Sequence, residues 1–338
     1  MKLAIDGMGG DHAPRSVVEG VLLALEEFPN LEVKLYGHKD KLAQFLTSHN
    51  RIEVVHCEEV IEGEDDPARS IRRKKDSSMT RMLEAVSEGT ADACLSAGNT
   101  GALMAGGLLK VGRIEGVARP ALATTLPTID GQGFLMLDLG ANADAKPEHL
   151  LQYALMGNIY AKKVRGIEKP RIGLLNIGSE EKKGNDLTKS VFSLLQESDL
   201  NFVGNVEARD LLDNVADVVV TDGFTGNMVL KSIEGTASAM MAMLKEAFMA
   251  SGKTKIGALL MKSELKKLKG KLDYSEHGGA ALFGLGAPVI KAHGSSNARA
   301  IYSAIRQATI MAEHNVTAVI KTTIAESNSL QGEKKEEN

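Results

Sequence analysis

Short runs of apolar and β-branched residues recur along the chain, each closed by glycine, asparagine or aspartate and followed by apolar positions at helical spacing. Lys2 to Asp6, Leu31 to Gly37, Ile52 to His56 and Ala91 to Ser96 read as strands separated by helices. Pro120 to Leu126 and Gly133 to Leu139 form a pair joined through Thr128-Ile129-Asp130-Gly131, a connection that permits antiparallel pairing in an otherwise parallel sheet. Further strands are expected at Arg171 to Ile177, Asn201 to Asn205, Asp217 to Val220 and Ala287 to Lys291. Pro14 fits the first turn of a helix reaching Phe28, and Pro147 opens one that runs to about Arg165. A closing helix is expected from Asn297 to about Ile324, with Ser295 or Ser296 as its N-cap. The alternation of strand and helix predicts an α/β chain with a mixed, mostly parallel sheet. Residues 1–328 form one catalytic domain, with two lobes allowed.

From Met228 to Leu272 the strand signal stops. Met240, Leu244, Ala247 and Phe248 share one helical face, and Ala258, Met261, Leu265, Leu268 and Leu272 line a second. Ser251-Gly252 turns the chain between them, so 228–272 is expected to protrude as a helical hairpin. Two helices cannot cover both apolar stripes alone, which predicts packing against a second copy and hence a homodimer. Ile256, Leu259 and Leu260 fall near the tip among Lys253, Lys255, Lys262, Lys266, Lys267, Lys269 and Lys271, with only Glu264 opposing them. That pattern predicts peripheral contact with an anionic membrane; plain dimer packing with a solvated lysine face is the alternative.

Composition narrows the class. The 338 residues are 25% charged with a net charge of −4, which excludes disorder and a globally basic nucleic-acid binder. Trp is absent and aromatics reach 4%, leaving little to stack on bases. Cys57 and Cys94 lie far apart inside strands without a CxxC, which fits buried thiols in a reducing cytoplasm. Met1 leads straight into a strand without a signal peptide, and the tail 329–338 is charged and expected to fray. Arg69 to Lys75 is a basic cluster: either a solvated face or a docking surface for an acidic protein.

The chemistry lies at the strand ends. Asp217 to Val220 runs into Thr221-Asp222-Gly223-Phe224-Thr225-Gly226-Asn227, whose glycines are expected to turn the backbone sharply before a helix. Glycine loops at helix starts present free N–H groups to anions. The arrangement repeats at Gly7 to Pro14 (with Gly9, Gly10 and His12), at Ala97 to Ala102 (with Asn99 and Thr100) and at His293 to Ser296. The first is not a dinucleotide fingerprint, because Asp6 stands where glycine is needed and its carboxylate repels a pyrophosphate. Lys182 and Lys183, in the loop from Gly178 to Asn185, are candidates for electrophilic work on a phosphate or carbonyl. Gly278 to Gly286 is flexible yet apolar, suited to lining a narrow pocket or to close backbone packing. All these loops are expected to converge on one hollow holding both Lys183 and Asn227.

The motifs DGMGGDHAP (6–14), SAGNTGA (96–102), DLGAN (138–142), LLNIGSEEKKGN (174–185), GNVEARD (204–210), TDGFTGN (221–227), GGAALFGL (278–285) and KAHGSS (291–296) occur in that order. In this the chain resembles the acyl-ACP:phosphate acyltransferases (PlsX) of bacterial phospholipid synthesis. The resemblance implies a three-layer α/β sandwich of the isocitrate/isopropylmalate dehydrogenase type. It implies transfer of a long-chain acyl group from the thioester of acyl carrier protein to inorganic phosphate, giving acyl phosphate. It further implies a dimer at the membrane periphery that passes its product to a membrane glycerol-3-phosphate acyltransferase. Catalysis falls by similarity on Lys183 and Asn227.

The residues fit such chemistry. Phosphate is already a competent nucleophile, so no activated Ser or Cys is needed, and no cofactor is expected. What is required is a positioned dianion and donors for the developing oxyanion. Gly9, Gly10, Asn99, Thr100, Asn185, Asp222, Thr225 and Ser295 are the candidate substrate-binding residues. His12 and His293 are candidates to protonate the departing thiol. Two rivals remain: an NAD-dependent β-decarboxylating dehydrogenase using Asp6, Asp138 and Asp222 around a metal, and a non-catalytic carrier-protein or membrane adaptor.

Overall fold

The computed structural model describes residues 1–46, 48–265, 270 and 278–336, with side chains as far as residue 327. Its centre is a single sheet with, among the described residues, eleven strands. In chain order these are β1 (Lys2–Asp6), β2 (Glu32–Gly37), β3 (Ile52–His56), β4 (Ala93–Ser96), β5 (Ala121–Leu126), β6 (Phe134–Leu137), β7 (Ile172–Asn176), β8 (Phe202–Glu207), β9 (Val218–Val220), β10 (Ala280–Phe283) and β11 (Val289–Lys291). Across the sheet they lie in the order β3-β2-β1-β4-β11-β10-β5-β6-β9-β7-β8.

The inner strands are apolar on both faces because both faces are covered, as parallel sheets require. Leu3 and Ile5 enter one core and Ala4 the other; Leu135 and Leu137 oppose Phe134 and Met136; Val218 and Val220 oppose Val219. The first core is closed by α1 (Arg15–Glu27), α6 (Pro147–Lys163), α7 (Asp186–Gln196), α10 (Ala298–Glu313) and the start of α11 (Val316–Glu336). The second is closed by α3 (Pro67–Arg73), α4 (Ser78–Ser87) and α5 (Thr100–Gly106), with Val229, Leu230 and Ile233 of α8 (Gly223–Met249) packed against it. The result is the expected three-layer α/β sandwich. The short α2 (Lys39–Leu42) caps one corner.

The middle of the sheet reverses its direction. β1 to β4 and β11 are mutually parallel, β10 pairs antiparallel with both β11 and β5, and β6 pairs antiparallel with β5. The block β6, β9, β7 and β8 is parallel again, but runs opposite to the first. Loops leaving β1, β4 and β11 therefore emerge at the other end of the strands from those leaving β6, β7 and β9. The glycine loops thus form two groups, one at each end of the strands.

Several local expectations also change. Gly278 to Gly286 contains a regular strand, β10, hidden from pattern reading because it is four residues long and begins Ala-Ala. Gly279 is required there, since a β-carbon would come within 2.6 Å of the Lys291 carbonyl oxygen. The closing helix is two helices, broken where Asn315 adopts a left-handed φ of 50°. Asn297, and neither Ser295 nor Ser296, caps α10, accepting from the Ala300 N–H at 3.0 Å. The backbone of α11 continues to Glu336, into the expected frayed tail.

The hairpin begins as α8, turns at Ser251 and returns as α9 (Gly252–Leu260), with Ser251 and Thr254 in a reciprocal capping box. Beyond Ile233 no residue of α8 is buried in the single chain, and Met240, Met243 and Met249 are exposed. At the tip Ile256, Leu259 and Leu260 are 64%, 71% and 81% exposed. Lys266, Lys267, Leu268, Lys269, Lys271 and Leu272 lie outside the described residues. No helix among the described residues is long and apolar enough to cross a membrane.

Candidate functional site

A cavity of about 350 Å³ opens over the antiparallel middle of the sheet. Leu122, Leu139, Leu230 and Ala280 give it an apolar wall. Thr100, His293, Ser296 and Lys291 form a polar wall at the ends of β4 and β11, while Asn227, Lys231 and Glu234 enter from the first turns of α8. One hollow thus joins groups from both ends of the sheet.

The entry of α8 is fixed by backbone packing. Asp222 is its N-cap, accepting from the Thr225 N–H at 2.8 Å and the Thr225 hydroxyl at 2.7 Å. Gly223 and Gly226 do not make a sharp turn, as their position after a strand had implied; both lie inside the first helical turn. They are glycine because the segment 138–142 passes directly beneath. A β-carbon on Gly223 would lie 2.6 Å from the Asn142 carbonyl oxygen, and one on Gly226 would overlap the Asp138 carbonyl. Asp138 organises this segment. Its buried carboxylate accepts from the N–H groups of Leu122, Gly140, Ala141 and Asn142 and from the Asn142 amide. Burial pushes the Asp138 carboxyl up, and these donors oppose that rise. Its oxygens are saturated, which removes it from any metal-ligand set of the dehydrogenase kind. Gly140, at φ +133°, then lies against the side chain of Asn227.

On the other side, Asp6 accepts from the N–H groups of Met8 and Gly9 and from the Ser96 hydroxyl at 2.7 Å, tying the exits of β1 and β4 together. Gly9 is needed there: a β-carbon would meet the Gly98 nitrogen at 2.6 Å. Gly10, at φ +105°, packs on Ala97, and the Asp11 N–H donates to the Gly294 carbonyl at 2.8 Å. His293 Nδ1 accepts from the Ser295 N–H at 3.2 Å and lies 2.8 Å from the Ser295 hydroxyl, which leaves Nε2 as the protonated nitrogen of the neutral ring.

Of the residues expected at the site, Thr100, Asn227 and His293 line the cavity. Gly9, Gly10 and Ser295 shape loops behind it. His12 is exposed and is not among the lining residues. Asn99 has no amide donor to spare: it donates to the carbonyls of Glu62, Gly63 and Asp65 and caps α5 through Ala102. Asn185 caps α7, accepting from Thr188. Asp222 and Thr225 satisfy each other. Lys183 does not line the cavity; it is half-exposed at the exit of β7, with Nζ 3.7 Å from a Glu180 carboxylate oxygen.

Sequence reasoning overlooked Lys291. It is the last residue of β11, nearly buried, and its Nζ donates to the carbonyls of Ala97, at 3.4 Å, and Ala292. Burial pulls its ammonium down to about 8, with Asp6 and Asp11 opposing the fall and Lys231 adding to it. Lys231 also lines the cavity, paired with Glu234 at 2.7 Å, and the second Glu234 oxygen is buried without a partner among the described residues. The lysine opening KAHGSS was the available signal, but strand lysines usually point to solvent.

The fold occurs in a branched-chain phosphotransacylase from Enterococcus faecalis, with a TM-score of 0.59 at 16% identity over 93% of this chain and 99% of that one. A phosphotransacetylase from Streptococcus pyogenes matches equally, at 0.59 and 16% identity over 92% and 94% of the two chains. In sequence, the chain is 74% identical to a phosphate acyltransferase of Lysinibacillus sphaericus over 96% of its length and 98% of that protein's. It is 61% identical to one from a Geobacillus species, over 97% and 100%. The profile of the family described as "Fatty acid synthesis protein" matches residues 1–319. With relatives of this similarity along nearly its whole length, and a cavity that sets an apolar wall against a polar one, the chain belongs to the fatty acid synthesis protein family, the family of the phosphate acyltransferases.

Proposed function

We propose that the protein transfers a long-chain acyl group from the thioester of acyl carrier protein to inorganic phosphate, giving acyl phosphate for phospholipid synthesis. The observation that carries this reading is the cavity with its two unlike walls. Leu122, Leu139 and Leu230 suit the first carbons of an acyl chain; Thr100, His293 and Ser296 suit a small anion beside the carbonyl. Membership of the phosphate acyltransferase family supports the same reaction.

The phosphate oxygen attacks the thioester carbonyl, the carbon–sulfur bond then breaks, and the thiolate leaves with a proton taken up from His293 or solvent. Asn227 donates to the oxyanion that develops on the carbonyl. Lys183 offsets negative charge on the phosphate or the oxyanion, working from the exit of β7, the strand beside β9; to do so it leaves its contact with Glu180. The exposed Arg69, Arg72, Arg73 and Lys75 receive the acidic carrier protein. The exposed hairpin supplies two further contacts: the α8 stripe packs on a second copy, and Ile256, Leu259 and Leu260 rest on an anionic membrane, where the product passes to a membrane glycerol-3-phosphate acyltransferase.

The test is direct. Acyl carrier protein thioester and inorganic phosphate, incubated with the protein, should give free thiol and acyl phosphate in equal amounts. Binding of the thioester without thiol release would leave an adaptor, and reduction of NAD by a hydroxy acid would point to the dehydrogenase reading.

A further inference from the structure

We propose that Lys291 is a further catalytic residue, the buried cation that binds the phosphate nucleophile inside the cavity. The inference deepens the acyltransferase reading and rests on it for the identity of the anion. Three observations converge on it. Lys291 lines the cavity while being only 7% exposed, so its charge meets a ligand without the screening that weakens surface lysines. Its Nζ donates to two backbone carbonyls, of Ala97 and Ala292, and no third acceptor is present among the described residues. One of three N–H groups is thus available, and the other two hold the ammonium in place before any ligand arrives. Beside it the Thr100 and Ser296 hydroxyls and the His293 ring line the same wall, a donor set of the kind that surrounds a bound phosphate.

The charges facing Lys291 come from every side. Asp6 and Asp11 approach from the exit of β1, Lys231 and Glu234 from α8, and His293 from its own loop. Asp6 is already engaged by Ser96 and two backbone N–H groups, and Lys231 by Glu234, so neither neutralises Lys291 directly. A buried cation whose nearest acceptors are neutral carbonyls has its charge only partly compensated, and a dianion supplies the remainder. Because burial brings the lysine down to about 8, the free protein loses this charge in mildly alkaline solution. Affinity for the phosphate dianion should then be full below that pH and fall as the pH rises through it.

The experiment uses the full chain and inorganic phosphate as the probe, by isothermal titration calorimetry and by KM for phosphate in the thiol-release assay. Lys291→Met should weaken phosphate binding about 10- to 100-fold, the scale of a charge-assisted hydrogen bond, with KM for the acyl-carrier protein changed much less. In the native chain, phosphate affinity should decline above about pH 8. Lys291→Arg, which stays charged, should retain binding and lose that decline. Should Lys291→Met fail to fold, the pH dependence of phosphate binding to the native chain and to Lys291→Arg decides the matter. Unchanged phosphate affinity in Lys291→Met, or a native profile flat from pH 6 to about 10, overturns the assignment. A chain that binds phosphate through Lys291 yet releases no thiol refutes the acyl-carrier reading alone, since the calorimetric result stands without turnover.

Discussion

Gly226 packs so closely on the carbonyl of Asp138 that a β-carbon at position 226 would overlap it. The contact clamps the start of α8 to the exit of β6 and sets the position of Asn227, the next residue, over Gly140. Gly226→Ala should therefore destabilise the fold by about 1–3 kcal/mol through overpacking. It should also lower turnover, because Asn227 is displaced. Gly63→Ala, where a β-carbon meets nothing within 4 Å, should change stability by less than about 0.5 kcal/mol. Urea denaturation of the two variants makes the comparison.

Asn227→Ala and Lys183→Ala should each lower kcat by about 10²–10³, the usual scale for removing a donor from a developing oxyanion. Stopped assays at saturating thioester and phosphate read this directly. Near-normal turnover in the Lys183 variant would confine that residue to its surface contact with Glu180.

Arg72 and Arg73 lie exposed in the last turn of α3. Reversing both to Glu should raise KM for the acyl-carrier protein at low salt, with the effect shrinking at 0.3 M salt as screening removes the attraction (a Debye length of roughly 6 Å). Should KM stay unaltered at low salt, docking lies elsewhere.

Replacing Leu259 and Leu260 by Glu should abolish co-sedimentation with anionic vesicles while leaving the dimer intact on a sizing column. Co-sedimentation that survives the double variant would remove the hairpin tip from membrane contact.

Arg171 donates to Asp217 through Nε at 3.1 Å and Nη2 at 3.0 Å, and its backbone N–H donates to the same carboxylate at 2.8 Å. Burial pushes the Asp217 carboxyl up, but the Arg171 bonds outweigh it and hold the group below the usual carboxylate range. A depressed acid stabilises the fold above its unfolded value, and the contribution is lost as pH falls through the lowered folded value. Asp217→Asn should cost about 1.5–3 kcal/mol at neutral pH and progressively less in acid, as followed by denaturation from pH 7 to about 2.

The architecture was largely legible. Short apolar and β-branched runs located ten of the eleven described strands, because the central strands are buried on both faces and say so in their composition, and helical spacing located the hairpin. β10 escaped because it is four residues long and begins Ala-Ala, with no pattern to mark it. The reversal that sends the two groups of loops to opposite strand ends lies at the antiparallel β5–β6 pair, which the sequence had allowed. At the site, the loop motifs pointed to Thr100, Asn227 and His293, which line the cavity. They pointed equally to Asn99, Asp222 and Thr225, whose polar atoms turn out to satisfy backbone and one another. A motif cannot say which of its side chains is already engaged. Lys291 was missed for the converse reason: its burial depends on β4 and the loop after β1, far away in sequence.

The cavity draws its lining from Thr100, Leu122, Asn227, His293 and Ala300, residues spread along most of the chain. During synthesis, then, nearly the entire polypeptide has to clear the ribosome before this cavity exists. A break anywhere between the first and last of these residues separates parts of the lining that no contiguous fragment can reunite.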